Sequence, residues 1–233
     1  MSLLTRAATK PLLLLGSGSF TRKQILSQAG YSFEVVKAEI DEYTLGDRSN
    51  AARAADLVSL LGHAKADAIL SQLRTSGRLP PTFTSTPSTP STPPSAYAAT
   101  EARLLLTADQ VVVCNGEILE KPQTEAQVRR YIAMYALHPC RTVGSIVLTS
   151  LATGRRVSGV DTCAIRLAPI PDSTVSTLLG EGMVFNCAGG LMIEHPLIQG
   201  CIQSIEGSVD SVMGLSATML ERLVGELGEG QGL

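Results

Sequence analysis

Asp109 lies in the run Leu104-Leu-Leu-Thr-Ala-Asp-Gln-Val-Val-Val113, where only Thr107 and Gln110 share its polarity. A carboxylate in such a run is costly to bury unless it is paired, hydrogen-bonded or bound to a cation. Function explains it better than a solvated edge strand, because the flanking residues do not alternate polar with apolar. Glu39-Ile-Asp-Glu42 is a second acidic point, and the basic residues Arg22, Lys23, Lys65 and Lys121 balance these acids. Carboxylates set among several cations suit metal-assisted attack on a phosphate ester or anhydride.

The cations need an anion to hold, and Leu12-Leu-Leu-Leu-Gly-Ser-Gly-Ser-Phe-Thr-Arg-Lys23 has the composition of an anion cradle. Four leucines read as a short strand buried on both faces, and Gly16 and Gly18 allow close backbone approach. Thr21-x-x-Gln24 reads as a capping box opening a helix. A phosphate at that helix start would meet unpaired N–H groups, the positive end of the helix dipole and the Arg22 and Lys23 side chains. On this stretch alone, an ordinary strand-to-helix turn with crowding-relieving glycines fits equally well. The stretch lacks the third glycine of a dinucleotide fingerprint and the Gly-Lys of a P-loop, and no Gly-x-Ser-x-Gly elbow occurs in the chain. A dinucleotide-dependent oxidoreductase built on Gly16 and Gly18 is thus a degenerate match.

The chain has 233 residues, 44% of them hydrophobic, which suffices for a folded core in one large domain or two small ones. A net charge of −2 gives no general attraction to nucleic acid or anionic membrane, so a phosphate ligand would be a small molecule held by local cations. The five cysteines form no C-x-x-C pair and have no histidine at zinc-ligand spacing, which fits reduced thiols in a cytoplasmic compartment. The three histidines are isolated, a pattern of surface or packing residues. No segment reaches membrane-spanning length, and Leu12 to Leu15 is too short for a signal-peptide core.

In chain order, residues 1–10 read as a frayed leader, Leu12 to Leu15 as a strand, and Thr21 to Ala29 as a helix with Gly30 at C′. Tyr31 to Val36 alternates as a strand. Ala51 to Leu73 reads as a helix, with Leu57, Leu60, Leu61, Ala64, Ala68 and Ile69 at helical spacing and Lys65 near its middle. From 74 to 103 a Ser/Thr/Pro-rich stretch has too few apolar residues to offset the entropy of ordering, and it reads as an insertion in a domain spanning 11–227. Leu104 to Val113 is a strand, and Asn115-Gly116 turns it back into Glu117-Ile-Leu119, presenting Lys121-Pro122 close to Asp109. Thr124-x-x-Gln127 opens a helix with Val128, Ile132 and Tyr135 on one face. Val143 to Thr149 and Val157 to Leu167 read as strands, Asp172 to Leu179 as a short helix, and Ser211 or Ser216 to Leu227 as a closing one before a loose tail, 228–233. The fold class is α/β: a mixed, twisted sheet flanked by helices, with a ligand cleft at strand ends.

These motifs in this order resemble the Maf-like family of nucleoside triphosphate pyrophosphatases. Ser17-Gly-Ser-Phe-Thr-Arg22 with Ile25-Leu26 is similar to the family's opening Ser-x-Ser-Pro pattern. Ile40-Asp-Glu42, Ala64-Lys-Ala66, Asp109-Gln-Val-Val112 with Glu120-Lys-Pro122, Cys187-Ala-Gly-Gly190, Glu194, Ile205-Glu-Gly207 and Val212-Met-Gly-Leu215 resemble its later motifs. The resemblance implies a Maf/ITPase-like fold with the cleft between two lobes, and magnesium- or manganese-dependent cleavage of a nucleotide to its monophosphate and diphosphate as a housecleaning reaction. It implies that Ser17, Ser19, Arg22, Lys65 and Lys121 engage the triphosphate while Glu42 and Asp109 hold the metal or activate water. Thr21, Gln110 and Glu194 would then sit where base preference is set, in the pattern of the 7-methyl-GTP branch; dTTP, UTP or CTP is the alternative substrate. The resemblance also implies a homodimer. Phe20, Thr21, Glu120 and Met192 depart from the family pattern, and the departures at Phe20, Thr21 and Met192 motivate a second reading as a nucleotide-binding regulator that has lost catalysis.

Overall fold

In the computed structural model, residues 10–79 and 103–229 are described; all but the last residue of the expected leader 1–10, most of the Ser/Thr/Pro stretch (80–102) and the end of the tail (230–233) lie outside them. The four leucines form strand β1 (Leu12–Leu15). Leu13 and Leu15 pack on one face with Ile25 and Leu26, and Leu14 packs on the other with Ile69 and Leu70. Each such buried side chain contributes roughly 1.5–3 kcal/mol.

Helix α1 (Phe20–Gln28) follows, capped by Ser19, whose hydroxyl accepts from the Arg22 N–H. This moves the helix start upstream of the expected Thr21 box, because Ser19 supplies the acceptor one residue before Phe20 and Thr21 Oγ1 instead lies 2.9 Å from Ser19 Oγ. Gly30 takes φ +76° at C′, the left-handed turn expected of it. Strand β2 (Phe33–Val35) is shorter than the alternation 31–36. Helix α2 (Ala54–Thr75) begins after a 3₁₀ turn at Ala51–Arg53 and runs two residues past Leu73. Leu60, expected on its apolar face, is 45% exposed; the buried stripe runs through Leu57, Val58, Leu61 and Ile69 instead.

Strand β3 (Arg103–Cys114) and strand β4 (Glu117–Leu119) form the expected hairpin, with Asn115 and Gly116 both at positive φ. Helix α3 (Glu125–Leu137) is capped by Thr124, which accepts from Gln127 N. Strands β5 (Cys140–Ser150) and β6 (Arg156–Leu167), helix α4 (Asp172–Glu181), helix α5 (Pro196–Gln199), strand β7 (Ile202–Glu206) and helix α6 (Val209–Val212) precede helix α7 (Ala217–Glu229). Of the two possible starts for the closing helix, Ser216 is the one used, and Ser211 belongs to the separate α6.

The seven strands form one mixed sheet in the order β2-β1-β3-β5-β6-β7, with β4 also on β3. On β3, Leu105, Val111 and Val113 face α2, whereas Leu104, Leu106 and Ala108 face α1 and α7, and Val112 and Cys114 face α3 and α4. One face is therefore covered by a single long helix, and the other by two separate packed layers that define two lobes.

The same strand has a gap along one edge. β1 pairs with Arg103 to Leu106 and β4 with Val112 to Cys114, so Thr107 to Val111 have no strand partner on that side among the described residues. Asp109 and Gln110 lie in the gap.

Helix α2 approaches the sheet closely where it passes this gap. Thr107 Oγ1 donates to Gly62 O at 2.8 Å and Ser145 Oγ to Val58 O at 2.6 Å. A Cβ on Gly62 would sit 2.9 Å from Ser145 Oγ and 3.0 Å from Val147 Cγ2. Ser145 Oγ cannot yield freely, because it also accepts from Asp109 N at 3.3 Å. Intrinsic propensity favours alanine over glycine in a helix by about 1 kcal/mol, but overpacking costs about 1–3 kcal/mol. Gly62→Ala is therefore expected to lower stability by about 1 kcal/mol in urea denaturation, against the propensity scale, and to displace Lys65 one turn further along.

Candidate active site

The carboxyl ends of the parallel strands β1 and β2 deliver two segments into the gap, Gly16 to Ser19 and Lys37 to Glu42. A cleft of about 1130 Å³ opens there. Ser17, Ser19, Thr21, Arg22 and Glu42 line it from these segments and the start of α1. Lys65 reaches it from α2, Asp109 and Gln110 from β3, Lys121 from the turn after β4, and Glu194 from the loop before α5. All ten candidate site residues thus meet in one cleft. Lys23, considered with Arg22 for the anion cradle, does not line it.

At the centre is a lysine between two carboxylates. Lys65 Nζ lies 2.5 Å from Asp109 Oδ1 and 3.1 Å from Glu42 Oε2. The Lys65 and Asp109 side chains are each 10% exposed, whereas Glu42 is 42% exposed. Burial pushes the Asp109 carboxyl above its ordinary pKa, and the nearby Lys65 and Arg22 charges oppose that rise without cancelling it.

Arg22 is built into the wall. Its Nε donates to Gly214 O at 2.9 Å, and Nη1 donates to Ser17 Oγ at 3.1 Å and to Ala108 O at 3.0 Å. The last bond satisfies a carbonyl that the strand gap leaves open. Burial lowers the Arg22 pKa from its ordinary value, with Asp109 and Glu42 acting in the opposite direction; the guanidinium remains charged. Nη2 has no partner among the described residues and is available to an anion.

Gln110 leaves the same gap on the opposite face. Its Nε2 donates to Ser211 O at 2.9 Å and Val212 O at 3.3 Å, so its amide oxygen is the end available to a ligand. Burial raises the pKa of Glu194. Its neighbour Cys187 is pushed up to about 11, chiefly by burial and also by Glu194, so this thiol is protonated at neutral pH.

Sequence reasoning missed Lys37 and Asn186 and read Glu120 only as a departure within a motif; all three also line the cleft. Lys37 adds a cation above the glycine turn, since a Cβ on Gly18 would lie 3.8 Å from its Cε. Its signal was positional: it follows the end of a parallel strand beside β1, where ligand crevices form.

Metal binding has a defined limit here. Among the described residues, no three or more His, Cys, Asp and Glu side chains gather as a metal-ligand group. Glu42 and Asp109 are two carboxylates already sharing an ammonium. Mg²⁺ commonly uses one or two carboxylates and completes its shell with waters and substrate phosphates, so this donor set suits a cation that arrives with a phosphate chain.

Cations and carboxylates in a cleft at the gap of a mixed sheet agree with a match to the Maf-like protein model over residues 12–227. The chain belongs to the Maf family. Among its Maf-family relatives, a 7-methyl-GTP pyrophosphatase of Dictyostelium discoideum is 31% identical over 217 residues, covering 93% of this chain and 98% of the relative. A dTTP/UTP pyrophosphatase of Bdellovibrio bacteriovorus is 26% identical, covering 92% and 98%. A nucleoside triphosphate pyrophosphatase of a Synechococcus strain is 26% identical, covering 91% and 100%. Among the described residues, no helix is long and apolar enough to cross a membrane.

Proposed function

We propose that this Maf-family protein is a nucleoside triphosphate pyrophosphatase that cleaves between the α and β phosphates and releases a nucleoside monophosphate and diphosphate. The observation that carries the reading is the buried Lys65 held between Asp109 and Glu42 in a cleft that also contains Arg22, Lys37 and Lys121. Arg22, Lys65 and Lys121 neutralise the phosphate chain, with Ser17 and Ser19 at the glycine turn. Asp109 is the better placed base: Lys65 takes Oδ1, leaving Oδ2 to accept a proton from the attacking water. Glu42, with Asp109, would hold Mg²⁺ or Mn²⁺; such an ion, when bound, neutralises charge on the phosphate oxygens.

For the base, 7-methyl-GTP is the favoured substrate. Similarity to the Dictyostelium relative supports it, and so does the chemistry of a carboxylate, Glu194, lining the same cleft as Gln110. A carboxylate accepts hydrogen bonds from a guanine edge or offsets the charge of a methylated one. The same reading places the protein in the cytoplasm, in keeping with its five free thiols, and as a homodimer.

Purified protein with Mg²⁺ is expected to release diphosphate from 7-methyl-GTP faster than from dTTP, UTP or CTP in a coupled diphosphate assay. Release from dTTP or UTP alone would overturn the base assignment. Nucleotide binding by calorimetry without release from any substrate would select the non-catalytic reading that Phe20, Thr21 and Met192 motivate.

A further inference from the structure

Two segments carry cleft groups that must stay in register: Asp41 to Arg48, which holds Glu42, and Glu120 to Gln123, which holds Lys121. They are far apart in sequence, and among the described residues the hydrogen bonds between them run from side chain to side chain. Arg48 Nε donates to Glu120 Oε2 at 2.8 Å, its Nη2 donates to Glu42 O at 2.7 Å, and its Nη1 donates to Leu45 O. Its guanidinium lies 5.8 Å from the Tyr43 ring. A second bridge runs beside the first: Gln123 Nε2 contacts Tyr43 Oη at 3.3 Å and donates to Lys121 O at 3.0 Å. Glu120 is held on its other side as well, because its carbonyl accepts from Gly189 N at 2.9 Å.

We infer that Arg48 and Glu120 are positioning residues, a latch that fixes Glu42 and Lys121 relative to one another across the cleft. An isolated exposed ion pair has two mobile ends. Here one guanidinium spends three nitrogens on two segments, with the Arg48 and Glu120 side chains only 21% and 27% exposed. The chain of contacts continues from the latch to the chemistry, since Glu42 meets Lys65 and Lys65 meets Asp109. The latch also sets a charge in the right place: Glu120 lines a cleft suited to anions, and Arg48 occupies its carboxylate.

This inference rests on the pyrophosphatase reading for its kinetic consequence. Charge alone and positioning predict opposite results for Glu120→Gln. Removing a negative charge from an anion site lowers KM and spares kcat. Losing the latch lowers kcat about 10- to 100-fold, the scale of small misplacements of catalytic groups, with KM moved less than about twofold. The experiment compares wild type, Glu120→Gln, Arg48→Met and the double variant by diphosphate release, and by amide hydrogen exchange without nucleotide. The expected result is a similar kcat loss in both single variants, with the double variant no worse than either. Exchange should quicken together in peptides covering 42–45 and 121–123. Unchanged kcat, a lowered KM alone, additive losses, or faster exchange in only one segment overturns the latch. Exchange decides the question even if wild type releases no diphosphate, an outcome that would sink the pyrophosphatase reading instead.

Discussion

Asp109→Asn is expected to lower kcat by about 10²–10⁴-fold, the usual contribution of a positioned general base, while the protein remains folded and its melting temperature does not fall. The second half of the expectation is unusual for a buried charged residue and follows from sign. Burial raises the Asp109 pKa in the folded state, so the folded protein binds this proton more tightly than the unfolded chain does. The linked stability is greatest below the unfolded value of about 3.9, declines as pH rises through the folded value, and is a constant penalty above it. Asparagine removes the penalty and keeps the side-chain volume, and Lys65 retains Glu42 at 3.1 Å. The same raised pKa fixes the pH profile. Protonation of Asp109 removes the base, so kcat should fall as pH drops through a value above the ordinary carboxylate range, and the asparagine variant should lack that limb. A variant with wild-type kcat, or one that melts markedly lower, would mean that the carboxylate serves the fold and not the reaction.

Residues whose meaning is local were legible in the chain itself. Asp109 stands out because no apolar strand tolerates an uncompensated carboxylate, and Asn115-Gly116 because few dipeptides accept two left-handed residues in succession. The mid-helix position of Lys65 was readable, but its partner was not. That depends on how closely α2 lies against β5, which Gly62 permits and no periodicity records. Ser19 and Thr21 both begin plausible caps, and only the path of the turn after Gly18 chooses between them. Arg48 gave no signal, since a single arginine in an irregular loop acquires its role from Glu120, 72 residues away. Strand β7 and helix α5 were missed for the reverse reason: each is too short to show a period. The gap in β3 that makes the cleft is a property of where its two neighbours stop and start. It belongs to the topology and to no one segment.

Lys65→Met is the change expected to have the largest combined effect. It deletes a cation from the phosphate site and leaves Asp109, 10% exposed, without its 2.5 Å partner. Removing one member of a buried pair costs about 3–5 kcal/mol if the other stays ionised. Asp109 can reduce that cost by keeping its proton, which raises its folded pKa beyond the already elevated wild-type value and lowers the fraction present as base at any given pH. Activity should therefore collapse by more than the loss of one phosphate contact, by about 10³-fold or more, whereas the partly exposed Glu42 can be solvated by water. Stability should change with pH in a way that identifies the cause. Between the unfolded and folded pKa values, stability falls by about 1.36 kcal/mol per pH unit. This window extends to higher pH in the variant, so its deficit relative to wild type should widen from pH 4 to pH 8 in urea titrations. Adding Asp109→Asn to Lys65→Met should restore much of the stability at pH 8 and none of the activity. A deficit independent of pH, or a double variant no more stable than Lys65→Met alone, would assign the loss to packing of the lysine stem along α2 and not to the stranded carboxylate.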